Sequence, residues 1–243
     1  MLRALLVFLA LCLIPAAARA EAPCKPMAYA GASYTVCGFD LRQDRLALFN
    51  LDARGQPYGS FAALAEALRD SAKSLTFAMN AGMFDEALKP VGLYVEAGRQ
   101  LKKLNRRDGG GNFHLKPNGV FYIAGERAGV METEAYVKAA PKADYATQSG
   151  PMLVIDGAIH PKFSADGTSY KLRNGVGSLD DHRVVFAISN GPVSFYDFAR
   201  LFRDGLACRN ALFLDGSVSS LYAPEIGRGD AFSPLGPMVG LAK

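Results

Sequence analysis

The stretch ALFLDGSVSS, residues 211–220, sets a carboxylate and three hydroxyls directly behind an apolar run. The run Ala211–Leu214 is typical of a short strand buried on both faces. Such a strand holds its last residue rigidly, and a following glycine lets a ligand or another backbone approach closely. We therefore expect Asp215 to lie at the floor of a cleft, with Gly216 beside it. The alternative is an Asp-Gly turn followed by a solvated serine loop.

Apolar segments next to glycine and polar residues recur elsewhere in the chain. The other examples are LTFAMNAGMF (75–84), KPNGVFYI (116–123) and YATQSGPMLVIDG (145–157). Between the last of these and residue 211 lies YKLRNGVGSL (170–179), which has a single arginine among small residues. Taken alone, each of these is more typical of a turn than of a site, so the hypothesis of a functional site depends on their combination.

The remaining patterns predict an α+β fold with a mixed, mostly antiparallel β-sheet core and two or three helices packed on it. Helices are predicted over 60–73 behind a Ser60 cap, over 132–140 before Pro141, and from Ser194 to Gly205. Predicted strands occupy 34–39, 45–51, 75–80, 91–96, 101–104, 119–123, 152–155, 184–189, 211–214 and 238–241. The first two read as a hairpin, and Asp156-Gly157 as a hairpin turn.

The first twenty residues have the pattern of a secretory signal peptide. Arg3 precedes the apolar run Leu5–Ile14, and Ala18-Arg19-Ala20 matches a cleavage site. The run is shorter than the roughly 20 apolar residues that span a bilayer, and no later segment is long enough. We expect cleavage near Ala20, a single domain over 21–243, and a periplasmic or secreted protein.

Charge argues against nucleic acid as a partner. Without the two arginines of the leader the chain keeps 25 Lys and Arg against 23 Asp and Glu, a net charge of about +2. Other chemistries lack their motifs: the three histidines have no metal-ligand spacing, and neither G-x-S-x-G nor a P-loop occurs. We expect no cofactor and no metal, and we predict no protein partner.

Export would place the cysteines in an oxidising compartment. Beyond the leader, which contains Cys12, the chain keeps Cys24, Cys37 and Cys208. We favour a Cys24–Cys37 disulfide because both flank the first predicted strand, and Cys37–Cys208 stays an alternative.

The polar residues at the strand ends suit a sugar joined to phosphate. Arginine makes bidentate contacts to phosphate oxygens, amides hydrogen-bond sugar hydroxyls, and a carboxylate can do acid–base work. The predicted catalytic residues are Asp215, Arg173, Asn80 and Gln148. The predicted substrate-binding residues are Gly82, Asn118, Ser149, Gly150, Asn174, Gly216, Ser217, Ser219 and Ser220.

The ordered set NAGMF, PNGVF, QSGPMLVIDG, RNGVG, NGPVSFYDFA and LFLDGSVSS resembles the phosphodiester glycosidase family, over about residues 34–241. The likeness is greatest to its small exported bacterial members. The animal member removes N-acetylglucosamine from its phosphodiester link to mannose on lysosomal enzymes. The family motif usually reads Asp-Gly-Gly-x-Ser, whereas Ser217 here replaces the second glycine, which leaves less room for backbone approach.

The resemblance implies hydrolysis of a sugar-1-phosphodiester at the anomeric carbon. Arg173 would bind the phosphate, and Asp215 would activate water or stabilise the cationic centre. Asn80 and Gln148 would hold the sugar. Glycosidases usually employ two carboxylates, and Asp85, Glu96, Asp181 and Glu225 are the candidates for a second. The competing function is a non-catalytic glycan or anionic-polymer binder of the cell envelope, and a purely structural envelope protein is a third.

Overall fold

The computed structural model describes residues 23–216 and 218–243, so the expected leader lies outside the described residues. The strands, numbered in chain order, are β1 Cys24–Tyr29, β2 Ala32–Asp40, β3 Leu46–Phe49, β4 Leu75–Asn80, β5 Tyr94–Glu96, β6 Arg99–Lys102, β7 Gly119–Ala124, β8 Arg127–Glu132, β9 Tyr145–Ser149, β10 Met152–Ile155, β11 Ala158–Ile159, β12 Asn174–Ser178, β13 Arg183–Ser189, β14 Asn210–Asp215, β15 Leu221–Ala223, β16 Arg228–Gly229 and β17 Met238–Ala242. The α-helices are α1 Phe61–Arg69, α2 Thr133–Ala139 and α3 Phe195–Arg200, and α3 continues into a π-helical turn, Leu201–Gly205.

The strands form three sheets. The largest has the order β1-β2-β13-β12-β14-β10-β11, and the others run β16-β15-β4-β17-β3 and β6-β5-β9-β7-β8. Every strand pairing in the described residues is antiparallel, in β12–β13 and β7–β9 as in β4–β17. The predicted α+β class is confirmed, and the sheets are antiparallel rather than mixed.

Aromatic rings from all three sheets meet in the central core. Phe186 of β13 lies 5.4 Å from Phe77 of β4 and 5.6 Å from Phe121 of β7, measured between ring centroids. Phe39 of β2 lies 4.6 Å from Phe77. These rings are buried, and each contributes on the order of 2–3 kcal/mol of hydrophobic stabilisation. The shared core fixes the sheets relative to one another, and with them the strand ends.

Each helix covers one sheet. Phe61 and Leu64 of α1 pack in the cluster that includes Leu75 and Met238, while Phe198 of α3 packs with strand residues of the largest sheet. The predicted caps are confirmed: Ser60 Oγ accepts from Ala63 N at 3.1 Å, and Ser194 Oγ accepts from Asp197 N at 3.0 Å. Helix α2 ends as predicted before Pro141, with Ala140 in the left-handed region.

The described part of the chain holds no helix with the length and apolar character needed to cross a membrane.

The hairpin predicted from residues 34–39 and 45–51 is wrong. Strand β2 pairs with β1 on one edge and with β13 on the other, so neither edge is open to β3. Strand β3 instead pairs with β17 in a different sheet. Strand β1 was missed because Pro26 and the exposed Lys25 obscure its pattern, and proline is tolerated there because β1 is an edge strand. The hairpin turn at Asp156-Gly157, between β10 and β11, is confirmed.

The disulfide Cys24–Cys37 is confirmed. The two residues are directly opposite each other in the β1–β2 ladder, and both are buried. The alternative pairing with Cys208 is wrong, since Cys208 is a free, buried thiol whose pKa burial raises to about 12.

Strands β8 and β12 were not predicted either, because their glycines interrupt the alternation of apolar residues.

Candidate active site

Three strand ends from two sheets meet at Asn174, the first residue of β12. Its Nδ2 donates to Asn80 O at 2.9 Å and to Asn80 Oδ1 at 2.8 Å. Its Oδ1 accepts from the backbone N–H of Asp215 at 2.9 Å. A fully buried asparagine therefore ties the end of β4 to the end of β14.

Asp215 is half-buried at the end of β14, as the sequence predicts for the last residue of a buried strand. Antiparallel pairing sets it opposite the start of β12, next to a register shift in the ladder. Its backbone carbonyl accepts from Ser219 Oγ at 2.7 Å, and the preceding carbonyl, of Leu214, accepts from Ser149 Oγ at 2.7 Å. The main chain on both sides of the carboxylate is thereby held by side chains.

Asn80 carries an unsatisfied donor. Its Oδ1 accepts from Ser220 N at 2.9 Å as well as from Asn174, but its Nδ2 has no hydrogen-bond partner among the described residues. The residue is completely buried. Because a buried N–H without an acceptor is costly, this atom requires a buried water or a ligand oxygen.

Arg173 is a buried cation, with 1% of its surface exposed. Its Nε donates to Val193 O at 2.9 Å and its Nη2 to Ser169 O at 2.7 Å. The guanidinium carbon lies 3.5 Å from the centroid of Phe195 and 5.5 Å from that of Phe213. Burial lowers the pKa of Arg173 to about 10, and no carboxylate in residues 23–216 and 218–243 forms an ion pair with it. A charge this buried and without an acidic partner calls for an anionic ligand.

A cavity of about 460 Å³ opens beside this cation. Its lining residues are Asn112, Ser169, Lys171, Leu172, Arg173 and Gly216. Gly216 directly follows Asp215, so the chain next to Asp215 lines the same cavity. A larger cavity of about 650 Å³, which includes Leu41 and Tyr145, contains none of the predicted site residues. The chemistry therefore favours the smaller cavity.

Gln148 lies apart from this group. Side chains alternate along β9, and those of Thr147 and Ser149 bond Ala81 O and Leu214 O, on the side of the site. Gln148 has the opposite orientation: its Oε1 accepts from Leu93 N at 3.0 Å and Asn105 N at 2.9 Å, and its Nε2 donates to Asn105 O at 2.9 Å. Its amide is thus used to hold the chain at residues 93 and 105, the latter just before the glycine-rich segment 108–112.

Three more predicted residues support the protein's own packing. Asn118 donates to Phe113 O at 3.0 Å and accepts from Thr133 Oγ1 at 2.7 Å. A Cβ at Gly82, whose φ is +136°, would lie 2.6 Å from Thr147 Oγ1, and one at Gly150 would lie 2.8 Å from Phe113 O. The space beside each of these residues is filled by other parts of the protein rather than left open to a ligand. Gly82, Asn118 and Gly150 are therefore not included in the candidate site. Ser217 lies outside the described residues.

The four candidates for a second carboxylate have other surroundings. Asp85 accepts from Ala87 N and Lys89 N within its own loop, Glu96 accepts from Tyr94 Oη, and Asp181 pairs with Arg127. Glu225 is exposed on a short helical turn. Within the described residues none of the four lines the cavity beside Arg173.

The sequence analysis did not predict four residues that line the cavity, Asn112, Ser169, Lys171 and Leu172, nor Phe195, whose ring lies against Arg173. Lys171 lies two positions before Arg173, and residues two apart in a strand face the same side. That spacing could have indicated Lys171 as a site residue. Phe195 gave no such signal, since its spacing reads as part of the apolar face of a helix.

Comparison with known proteins gives consistent results. A family model described as phosphodiester glycosidase matches residues 73–234. The protein YigE of Escherichia coli (strain K12) is 37% identical over 218 residues, which are 89% of this chain and 84% of that protein.

Solved structures of similar fold include the catalytic domain of zebrafish N-acetylglucosamine-1-phosphodiester alpha-N-acetylglucosaminidase, auto-inhibited by its pro-peptide. The TM-score is 0.60 at 14% identity, over 90% of this chain and 81% of that one. A hypothetical protein from Synechocystis gives 0.56 at 14% identity, over 90% of this chain and 61% of that one. At these identities the structures show a shared fold, while the sequence matches show the family. The chain belongs to the phosphodiester glycosidase family.

Proposed function

We propose that this chain is an exported hydrolase that cleaves a sugar-1-phosphodiester at the bond between sugar and phosphate. The observation that carries the proposal is the buried Arg173, which has no ion-pair partner in the described residues and lines a cavity together with Gly216, the residue after Asp215. Membership of the phosphodiester glycosidase family supports the reaction class. The Cys24–Cys37 disulfide supports export, because disulfides persist in oxidising compartments.

Arg173 would bind the phosphate through its free end. Its Nε and one N–H of Nη2 are already used by Val193 O and Ser169 O. Nη2 also donates weakly to Ser169 Oγ at 3.4 Å, so both N–H groups of Nη1 remain for the oxygens of a tetrahedral anion. Because the guanidinium is held by two carbonyls and the Phe195 ring, little reorganisation is needed when charge develops on the leaving phosphate.

Asp215 would act on the other side of the scissile bond. The bond between the anomeric carbon and the bridging phosphate oxygen breaks, and its electron pair stays on that oxygen. The oxygen of a water molecule bonds to the anomeric carbon and gives its proton to Asp215 as general base. The products are the free sugar and a phosphate monoester, which is a good leaving group, so the reaction requires less acid assistance than an ordinary glycoside.

The residues around Asp215 would orient the sugar. Asn80 Nδ2 is a buried donor without an acceptor, and a sugar oxygen or an ordered water would satisfy it. Asn174 and Ser219 fix the backbone at Asp215, and Ser220 fixes Asn80. We assign Gln148 a positioning role, through the chain at residue 105, rather than contact with the substrate.

The test is a turnover assay on the chain from residue 21 onward. Sugar-1-phosphodiesters that differ in the sugar are compared with plain aryl glycosides and with simple phosphodiesters, and Asp215→Asn is assayed in parallel. We expect sugar release from sugar-1-phosphodiesters alone and a loss of at least about a hundredfold in Asp215→Asn, with an unchanged melting temperature. An Asn variant with full activity would remove Asp215 from the chemistry.

One observation favours the competing function of a glycan or anionic-polymer binder. None of the four candidates for a second carboxylate lines the cavity, and only Asp215 directly precedes a lining residue, whereas most glycosidases use two carboxylates. If no substrate of the panel is cleaved and a glycan array still shows binding that Arg173→Met abolishes, the binding function replaces the enzymatic one.

A further inference from the structure

The segment 169–173 is tied to the chain at residue 193 through Lys171. Lys171 and Val193 form an antiparallel bridge, in which Lys171 N donates to Val193 O at 3.2 Å and Val193 N donates to Lys171 O at 2.9 Å. Val193 O also accepts from Arg173 Nε. The position of Lys171 is therefore coupled directly to that of Arg173.

Four residues of this segment line one cavity of about 460 Å³: Ser169, Lys171, Leu172 and Arg173. Tyr170 is not among the lining residues and is 54% exposed. Two cations thus face one cavity from one short segment.

Neither cation has an ion-pair partner in the part of the chain that the structure describes. In the ion pairs of residues 23–216 and 218–243 neither Lys171 nor Arg173 takes part, although other basic residues, such as Arg106 with Glu134 and Lys116 with Asp108, do. Arg173 is immobilised by hydrogen bonds and by Phe195, while Lys171 is exposed and its ammonium is a mobile point charge. The cavity therefore offers one fixed and one adaptable positive charge.

We propose that Lys171 and Arg173 together form a site for a phosphate dianion, so that Lys171 recognises the leaving phosphate monoester in preference to the intact diester. The inference rests on the proposed function and adds a residue to it. A phosphodiester carries one negative charge, which Arg173 alone can match. When the bond to the sugar breaks, the electron pair left on oxygen makes the phosphate a monoester with a charge approaching −2 above its second pKa of about 6.

A second positive charge at this point stabilises the transition state more than the ground state. Lys171 thus contributes chiefly to kcat, since only interactions that strengthen as the bond breaks accelerate the reaction. Lys171→Met should lower kcat by about tenfold or more and change KM by less than about threefold, as expected when a charge-assisted interaction made in the transition state is removed.

The decisive experiment measures binding and needs no turnover. At pH 8, titration calorimetry compares methyl phosphate, a dianion, with dimethyl phosphate, a monoanion. The wild-type chain should bind methyl phosphate about tenfold more tightly, as expected for one additional charge-assisted contact. Lys171→Met should bind the two equally, Lys171→Arg should keep the preference, and Lys142→Met, which changes an exposed lysine of another cavity, should behave as wild type.

The proposal is overturned if the wild type does not discriminate between the anions, or if Lys171→Met keeps the full preference while its melting temperature is unchanged. A failure of the proposed function alone would give a different pair of results in the binding and turnover experiments. A dianion preference that depends on Lys171, together with no cleavage of any sugar-1-phosphodiester, would support the anion site and contradict the reaction.

Discussion

The side-chain amide of Asn174 donates to both the main-chain carbonyl and the side-chain oxygen of Asn80, at 2.9 and 2.8 Å. The two residues are 94 positions apart and belong to different sheets. Through its own Oδ1, Asn174 also holds the N–H of Asp215. One asparagine therefore connects the Asn80 side chain to the backbone at Asp215.

Replacement of Asn174 by alanine should damage both stability and activity. It would leave Asp215 N–H and Asn80 Oδ1 with fewer partners in a buried setting, at a cost of about 2–4 kcal/mol. We expect a clear loss of melting temperature and a fall in kcat/KM of at least about a hundredfold. Asn210→Ala is the control, since Asn210 lies at the other end of β14 and bonds Asp156 N. Equal effects of the two variants on kcat/KM would contradict this role for Asn174.

Phe195 should matter for anion binding although it carries no charge. Its ring lies under the guanidinium of Arg173 and stacks on Phe163 at 4.9 Å. A desolvated cation–π contact is worth on the order of 2 kcal/mol. Phe195→Leu should weaken phosphate binding by about tenfold or more, and Phe195→Tyr, which keeps the ring face, should restore it. Calorimetry with inorganic phosphate measures this; full affinity in the leucine variant would show that the ring does not hold Arg173.

Gln148 should reveal its positioning role through proteolysis. Its amide holds the backbone of Asn105, next to two exposed trypsin sites at Arg106 and Arg107. Gln148→Ala removes three hydrogen bonds to the backbone at residues 93 and 105, so local opening of the segment should become easier by about 2–3 kcal/mol.

Trypsin should then cut at Arg106 or Arg107 at least about tenfold faster than in the wild type. Arg106→Gln and Arg107→Gln, introduced together into Gln148→Ala, should abolish the new fragments. If the cleavage rate is unchanged while turnover is lost, Gln148 acts on the substrate instead.

His160 should make the protein sensitive to acid. The ring is buried against Phe163, and burial, followed by the charge of Lys162, lowers its pKa from 6.5 to about 4. The unfolded chain therefore binds more protons than the folded chain between about pH 6.5 and 4, and stability falls as pH is lowered through this window. A pKa shift of this size at one histidine corresponds to a loss of roughly 3 kcal/mol in the free energy of unfolding.

Urea denaturation at pH 7 and pH 4.5 measures the effect. His160→Phe keeps a ring on Phe163 and should show a smaller loss of stability between the two pH values. A variant of the half-buried His182, His182→Asn, is the control and should retain the wild-type loss. An unchanged slope in His160→Phe would assign the acid sensitivity to other groups.

Several local features of the fold were predictable from the sequence. The Ser60 and Ser194 caps, the buried strand that ends at Asp215, and the Cys24–Cys37 disulfide all follow from residues close together in the chain. The family resemblance is carried by the same short motifs. Such features depend on local backbone preferences and periodicity, which the sequence displays directly.

Which strands pair, and which way each side chain faces, was decided by tertiary structure. Neighbouring positions such as Gln148 and Ser149 face opposite sides of β9, so a shift of one residue separates a packing amide from a site hydroxyl. Strands β2 and β3, adjacent in sequence, enter different sheets because both edges of β2 are occupied.

The candidate site itself is a product of long-range pairing. The sequence alone determined that Asn80, Arg173 and Asp215 stand next to short buried strands or small residues. Only the tertiary structure brought Asn80 and Asp215 to one asparagine and set Lys171 beside Arg173 in one cavity. The physical reason is that these contacts depend on sheet register and on a core shared by three sheets, which no stretch of neighbouring residues specifies.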